Sequence, residues 1–321
     1  MSARLVPSLA VTAALHLVGW GALLALVVPS GATLDGMSAA PLASLGIGVT
    51  AYLLGIRHAF DPDHIAAIDG STRRLVGAGR SPRGVGLWFS LGHSTVVAAL
   101  CLAIAAAGPL IAPLVTDDSS PVHQWAGAIG PLVSSTFLIV VALANIASIR
   151  QGASAPRGPV GWLLGRFDRV LDRPSRMYLI GVLFGLGFDT ATEIGLLALA
   201  ASAAVTAAPW WVVLVLPVLF AAGMTGFDSA QGELAYRAYR WGSGSPLGVS
   251  YRTITAVMSI GIALVVAAAQ LATLLGSAGS SMPFANVIDI GWLGLAFTVA
   301  IGAAWAAAAI RSSTKTALSR T

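Results

Sequence analysis

Charge is what this chain lacks most. Only 10% of its 321 residues are Asp, Glu, Lys or Arg, while 56% are hydrophobic; a soluble domain carries about 25% charged residues. So little polar surface excludes a water-soluble globular protein and places the chain in the membrane class. Cysteine is nearly missing too: the single Cys101 lies inside an apolar run, which excludes a disulfide framework or a thiolate metal cage. Lysine occurs once, at Lys315, so there is no Gly-x-x-x-x-Gly-Lys-Ser/Thr phosphate loop and no sign of ATP hydrolysis. There are five histidines, with no His-Glu-x-x-His pair and no repeated His boxes. That argues against an intramembrane metalloenzyme, and the chain is expected not to be an enzyme. The formal charge is +5, but the basic residues sit in short loops between apolar runs. Membrane topology explains them, and no nucleic-acid partner is implied.

What is abundant is apolar sequence in long runs. A membrane span needs about 20 mostly apolar residues, and eight candidates occur, at 8–29, 41–69, 84–113, 124–148, 177–206, 210–236, 252–278 and 289–310. The expected fold is therefore all-α, a polytopic transmembrane bundle forming one transport domain over 1–321. The first run exceeds the 7–15 residues typical of a signal-peptide core and reads as a retained span. Arg73, Arg74, Arg80 and Arg83 follow span two; Arg150 to Arg176 fill the loop 149–176; Arg237, Arg240 and Arg252 join spans six and seven; Arg311, Lys315 and Arg320 form the tail. With eight spans these all fall on one side, and the opposite loops hold Asp35, Asp117 and Asp118. Both termini are then cytoplasmic, in a multi-pass protein of the cell membrane.

Ionisable residues inside spans are costly and mark functional sites. Span two reads Arg57-His58-Ala-Phe-Asp61-Pro-Asp63-His64. Span three carries His93-Ser94, span five Asp189-Thr190-Ala-Thr-Glu193, and span six Asp228 and Glu233. The Phe-Asp pairs at 60–61, 188–189 and 227–228 hint at internal duplication, as in many transporters. Measured along continuous helices from the nearest inner arginine, His64, Asp228, His93, Asp189 and His58 lie roughly 13 to 22 Å deep. That is a slab around the midplane, where secondary transporters place their substrate sites. His58, Asp61 and His64 step by three along one helical face, and Arg57 reaches Asp61 at i+4. Pro62 lacks an N–H and its ring collides with the His58 carbonyl, so a helix break is expected there. Asp189 and Glu193 are one turn apart. Asp69, just before the arginine loop, reads as a solvated helix end, and His16, His123 and Asn145 as structural. Imidazole and carboxylate without thiolate favour Ni²⁺, Co²⁺, Zn²⁺, Fe²⁺ or Mn²⁺ over Cu⁺.

These segments carry a family resemblance. Arg57-His58-Ala-Phe-Asp61-Pro-Asp63-His64-Ile resembles the second-helix signature of the nickel–cobalt transporter family, Arg/Lys-His-Ala-x-Asp-Ala-Asp-His. Phe89-Ser-Leu-Gly-His93-Ser94-Thr-Val-Val97 is similar to its Phe-x-x-Gly-His-Ser-x-Val-Val, and Leu186-Gly-Phe-Asp189-Thr190-Ala-Thr-Glu193 to its Leu-Gly-x-Asp-Thr-Ala-Thr-Glu. Gly223-Met224 with Asp228 resembles its Gly-Met-x-x-x-Asp-Thr-x-Asp. Two departures stand out. Pro62 replaces the usual Ala, and Ser229 and Gln231 stand where the family has Thr and a second Asp. Glu233 is the candidate replacement for that Asp.

The resemblance implies uptake of Ni²⁺ or Co²⁺, as transported substrate and not as cofactor, across the cytoplasmic membrane. His58, Asp61, Asp63 and His64 form the expected core of the metal site, with His93, Asp189, Glu193 and Asp228 completing it. Arg57, Pro62, Ser94, Thr190 and Glu233 are supporting residues. No protein partner is evident beyond the lipid bilayer. The same ligands would also serve a metal exporter. Exporters often carry a His-rich cytoplasmic loop, and the loop 150–176 has no histidine, which favours import.

Overall fold

The structure is a computed structural model, and it describes residues 6–30, 41–117, 119–151, 171–187, 191–205, 210–241 and 246–277, with single positions at 296, 299 and 303. All regular secondary structure among the described residues is helical. Helix α1 covers Val6–Ala22 and continues through a π turn, Leu23–Val27, into Val28–Ser30. The wider turn accommodates Pro29, whose ring would collide with the carbonyl four residues earlier in a regular helix. Then follow α2 (Pro41–Ala59), α3 (Pro62–Gly77), α4 (Val85–Thr116), α5 (Pro121–Gln151) and, after a 3-10 turn, α6 (Met177–Gly185). Helix α7 is Ala191–Val205; a short turn, Trp210–Val213, leads into α8 (Val215–Trp241), and α9 is Pro246–Ser277.

Among the described residues, five stretches are long and apolar enough to cross a membrane: Ser8–Val27, Val85–Ala107, Pro121–Ala147, Trp210–Arg240 and Ala256–Leu275. Their outer faces are oily. Leu17 is 75% exposed and Trp125 70%, which suits lipid and not water.

Two compact units divide the chain. The first comprises Met1–Ala59, Gly86–Val133 and Ser175–Ser229, and the second Phe60–Val85, Ser134–Pro174 and Ala230–Thr321. Apart from Arg4, Arg57 and Arg176, every Lys and Arg belongs to the second unit.

Glycine sets the close crossings of the first unit. A Cβ on Gly55 would strike the Phe220 carbonyl and one on Gly223 the Tyr52 carbonyl, so α2 and α8 touch backbone to backbone. Gly92 against Tyr178 and Gly181 against Phe89 do the same for α4 and α6. Close approach of this kind is how helices associate where no hydrophobic effect drives them together. In the second unit α3 packs along α9, with Ile65 buried against Met258 and Ile262.

The sequence reading needs four corrections. The stretch 41–69 breaks at Pro62 as expected, but the break undoes two inferences drawn from a continuous helix. Asp61 has φ −63° and ψ 133°, an extended conformation at the N-cap of α3. Hence His58, Asp61 and His64 do not share one helical face; Arg57 is exposed on α2. For the same reason the depth of His58 cannot be counted along one helix from Arg73. The stretch 177–206 is not one helix either: α6 ends at Gly185, and Leu186 and Gly187 leave the helix. Asp69 is no solvated end, being 2% exposed. Finally, α4 bends at Ala107 (φ −143°, ψ 42°), just before Gly108-Pro109. Asp189, Thr190 and most of both the candidate span 289–310 and the loop 149–176 lie outside the described residues.

Candidate metal centre

The polar heart of the first unit is built from α2, α4 and α7. His58 occupies the last turn of α2, where Pro62 stops the helix. Its Nδ1 lies 2.9 Å from the Thr192 hydroxyl, and its Nε2 lies 2.9 Å from His93 Nε2. His93 Nε2 is also 2.7 Å from Glu193 Oε1, and His58 Nε2 is 3.8 Å from the same oxygen. All three residues are 1% exposed. Phe220 stacks beside His58 with ring centroids 5.5 Å apart, and Phe89 flanks His93 at 6.5 Å. Glu193 stands in the first turn of α7, where the positive end of the helix dipole favours a carboxylate.

Three potential donor atoms, two imidazole nitrogens and one carboxylate oxygen, thus converge with separations of 2.7, 2.9 and 3.8 Å. Neighbouring ligands around a metal at about 2.1 Å sit roughly 3.0 Å apart in an octahedron and about 3.4 Å apart in a tetrahedron. The cluster has that scale. One proton arrangement satisfies the contacts without a cation. His58 donates its Nδ1–H to Thr192, leaving the Nε2 lone pair inward, and His93 shares its Nε2–H between Glu193 Oε1 and that lone pair.

Asp228 is fully buried on α8. Ser90 Oγ donates to its Oδ2 at 2.6 Å and also to the Gly86 carbonyl at 2.9 Å. Ser90 is three residues before His93, so Asp228 is anchored one turn along the face of α4 that carries His93. Ser94, next to His93, donates to Met224 Sδ at 3.8 Å.

The second unit holds its polar side chains differently. Asp61 and Asp63 stand at the N-terminus of α3, which the helix dipole stabilises. Asp63 Oδ1 accepts the His64 backbone N–H at 2.9 Å. Its Oδ2 accepts from Gln270 Nε2 at 3.2 Å. His64 is 2% exposed. Gln231, at the position of the family's second Asp, donates to the Ile65 carbonyl at 3.4 Å. Glu233 pairs with Arg237 at 2.9 Å and Arg83 at 3.6 Å, so its charge is taken up by arginines. Asp69 accepts from both Tyr239 and Ser259 hydroxyls. Tyr239 accepts from Arg73 at 2.8 Å, and the guanidinium lies 4.5 Å from the centre of the Tyr239 ring.

Comparison with known proteins settles the lineage. Residues 44–311 match the family of high-affinity nickel-transport proteins, NicO. The chain belongs to this family. It is 40% identical to the nickel transporter NicT of Mycobacterium tuberculosis over 93% of this chain and 86% of that one. It is 40% identical to the cobalt transport protein NhlF of Rhodococcus rhodochrous over 75% and 76%, and 37% identical to the high-affinity nickel-transport protein NixA of Helicobacter pylori strain 26695 over 69% and 72%. No solved structure matches. As a NicO member with five helices among the described residues long and apolar enough to span a membrane, the chain is an integral membrane protein.

Of the residues singled out in the sequence, the structure gathers His58, His93 and Glu193 in the first unit, with Asp228 a turn away. Three contacts around these residues escaped the sequence reading. Thr192, which holds His58, lies inside the Asp189–Glu193 motif, and its place beside Glu193 was the available signal. Ser90 precedes His93 by one helical turn, a spacing that sequence offers freely but that names no partner. Gln270 lies outside every motif and could not be found from sequence.

Proposed function

We propose that this NicO protein is a secondary permease, not hydrolysing ATP, that carries Ni²⁺ or Co²⁺ into the cell across the cytoplasmic membrane. The observation that carries the proposal is the convergence of His58 Nε2, His93 Nε2 and Glu193 Oε1 in a water-excluded pocket. Mixed imidazole and carboxylate suits late first-row divalent ions. Two helix ends border these ligands: α2 stops at His58-Ala59 and α7 begins just before Glu193. Interrupted helices of this kind frame the ion sites of many secondary transporters. The rest of the motif, Asp61, Asp63 and His64, together with Asp189 and Asp228, supplies further ligands of the transport path. Eight spans with both termini cytoplasmic place the arginine-rich loops inside. The membrane potential then drives a divalent cation inward by about 2.3 kcal/mol per charge per 100 mV. The names of the relatives, nickel and cobalt transporters, agree with this cargo.

The test is uptake of radiolabelled nickel by cells expressing wild type, H58A and H93A at matched membrane levels. Saturable uptake is expected in the wild type alone. Retention of wild-type uptake by either variant would refute the mechanism, and metal resistance in place of accumulation would reverse the direction.

A further inference from the structure

We propose that Gln270 is a positioning residue for the Asp63 carboxylate and that it sharpens discrimination among divalent cations. The inference rests on the reading of Asp63 as a ligand of the transport path. It comes from a three-residue relay contained in the second unit. Ser134 on α5, 2% exposed, donates its hydroxyl to Gln270 Oε1 at 2.6 Å. Gln270 on α9 donates its amide to Asp63 Oδ2 at 3.2 Å, while Asp63 Oδ1 accepts the His64 backbone N–H at 2.9 Å.

Each element of this relay has a physical consequence. The carboxylate is gripped at both oxygens, Oδ1 by the His64 backbone N–H and Oδ2 by the Gln270 amide. The Gln270 contact is neutral. Arg or Lys at position 270 would hold the carboxylate as firmly but would set a positive charge beside the cargo. The amide also has a defined orientation: turned over, it would present its carbonyl oxygen to an ionised Asp63, and acceptor would face acceptor. Ser134 locks the productive orientation from behind.

A carboxylate fixed in this way cannot swing freely between one-oxygen and two-oxygen coordination. Hard, larger ions profit from that freedom, because their shells are flexible and accept bidentate carboxylates. Ni²⁺ and Co²⁺ gain more from imidazole ligands. Outer partners of metal ligands characteristically alter affinity by about 10- to 100-fold, so Gln270 acts on selectivity through Asp63 without touching the ion.

The experiment measures initial rates of radiolabelled nickel uptake against concentration, with Mn²⁺ and Co²⁺ as competitors, in cells matched for membrane protein level. The variants are Gln270→Met, which keeps the side-chain length and removes the amide, Ser134→Ala, Asp63→Asn and the combinations. Gln270→Met is expected to raise the KM for nickel about tenfold, to leave Vmax near wild type and to make Mn²⁺ a stronger competitor. Ser134→Ala shifts both in the same direction by less, and the Gln270→Met/Ser134→Ala pair behaves as Gln270→Met alone. In the Asp63→Asn background Gln270→Met adds nothing. If Gln270→Met does not reach the membrane, Ser134→Ala, which removes a single oxygen, carries the same prediction. A fall in Vmax with unchanged KM and competitor order assigns Gln270 a purely structural role and overturns the proposal. Impairment in Asp63→Asn with normal kinetics in Gln270→Met overturns the proposal alone, whereas a wild-type KM in Asp63→Asn overturns the ligand reading of Asp63 as well.

Discussion

In the first unit the buried ionisable groups meet one another: His58, His93 and Glu193 share contacts of 2.7 to 3.8 Å, with the Thr192 hydroxyl as their polar outer partner. In the second, buried Asp69 is closed off by two hydroxyls, and Arg73 lies behind Tyr239. Both arrangements satisfy desolvated charge, but they leave different possibilities. Imidazoles that face each other can exchange an inner proton for a cation. A carboxylate held by two hydroxyl donors, with a guanidinium behind one of them, has its charge already partly taken up by the protein. Under the proposed function, the contrast separates candidate cargo ligands from residues that brace the helices, although both kinds are acidic or basic groups buried in apolar surroundings.

Breaking the first unit has the largest consequence. H58A and H93A are expected to lose saturable nickel uptake entirely while the protein still reaches the membrane, as measured by isotope uptake and immunoblot on the same cells. Next in size comes the backbone crossing of α4 and α6. Gly181→Val pushes side-chain atoms into the Phe89 carbonyl, and overpacking costs about 1–3 kcal/mol even where side chains can yield. The expected result is loss of folded protein from the membrane, read by detergent-extracted yield and thermal melting.

Smaller and more diagnostic is T192V, which keeps shape and removes the partner of His58 Nδ1. The apparent affinity for nickel is expected to fall about tenfold with little change in melting temperature. The second unit responds in the opposite sense. Y239F strips one donor from buried Asp69 and should cost about 1–3 kcal/mol of stability, with the KM for nickel unchanged. A raised KM in Y239F would erase the contrast between the His58–His93–Glu193 cluster and the Asp69 site. At the small end, E233Q loosens a partly exposed ion pair worth at most about 1 kcal/mol and should leave uptake unaltered.

Much of this was legible in the residues themselves. Scarce charge and long apolar runs announced membrane helices, and the ring chemistry of Pro62 announced the break before α3. The grouping of His58, His93 and Glu193 could be anticipated because ionisable groups in spans must find partners. What escaped has equally physical reasons. The end of α6 at Gly185 depends on a Gly-Leu-Gly sequence that is also compatible with a continuous apolar helix. Asp69 lies next to an arginine-rich loop, and only tertiary packing brings Tyr239 and Ser259 to cover it. The pairing of Glu233 with Arg83 joins residues 150 positions apart, a separation over which local spacing carries no information.

The central claim is that His58 and His93 bind the cargo through their ring nitrogens. X-ray absorption at the nickel edge on purified protein loaded with Ni²⁺ tests it directly. The account predicts a first shell of nitrogen and oxygen without sulfur, imidazole scattering in the wild type, and loss of part of that scattering in the H58A/H93A double variant. An identical imidazole signal in the two proteins, or a sulfur-containing first shell, would contradict it.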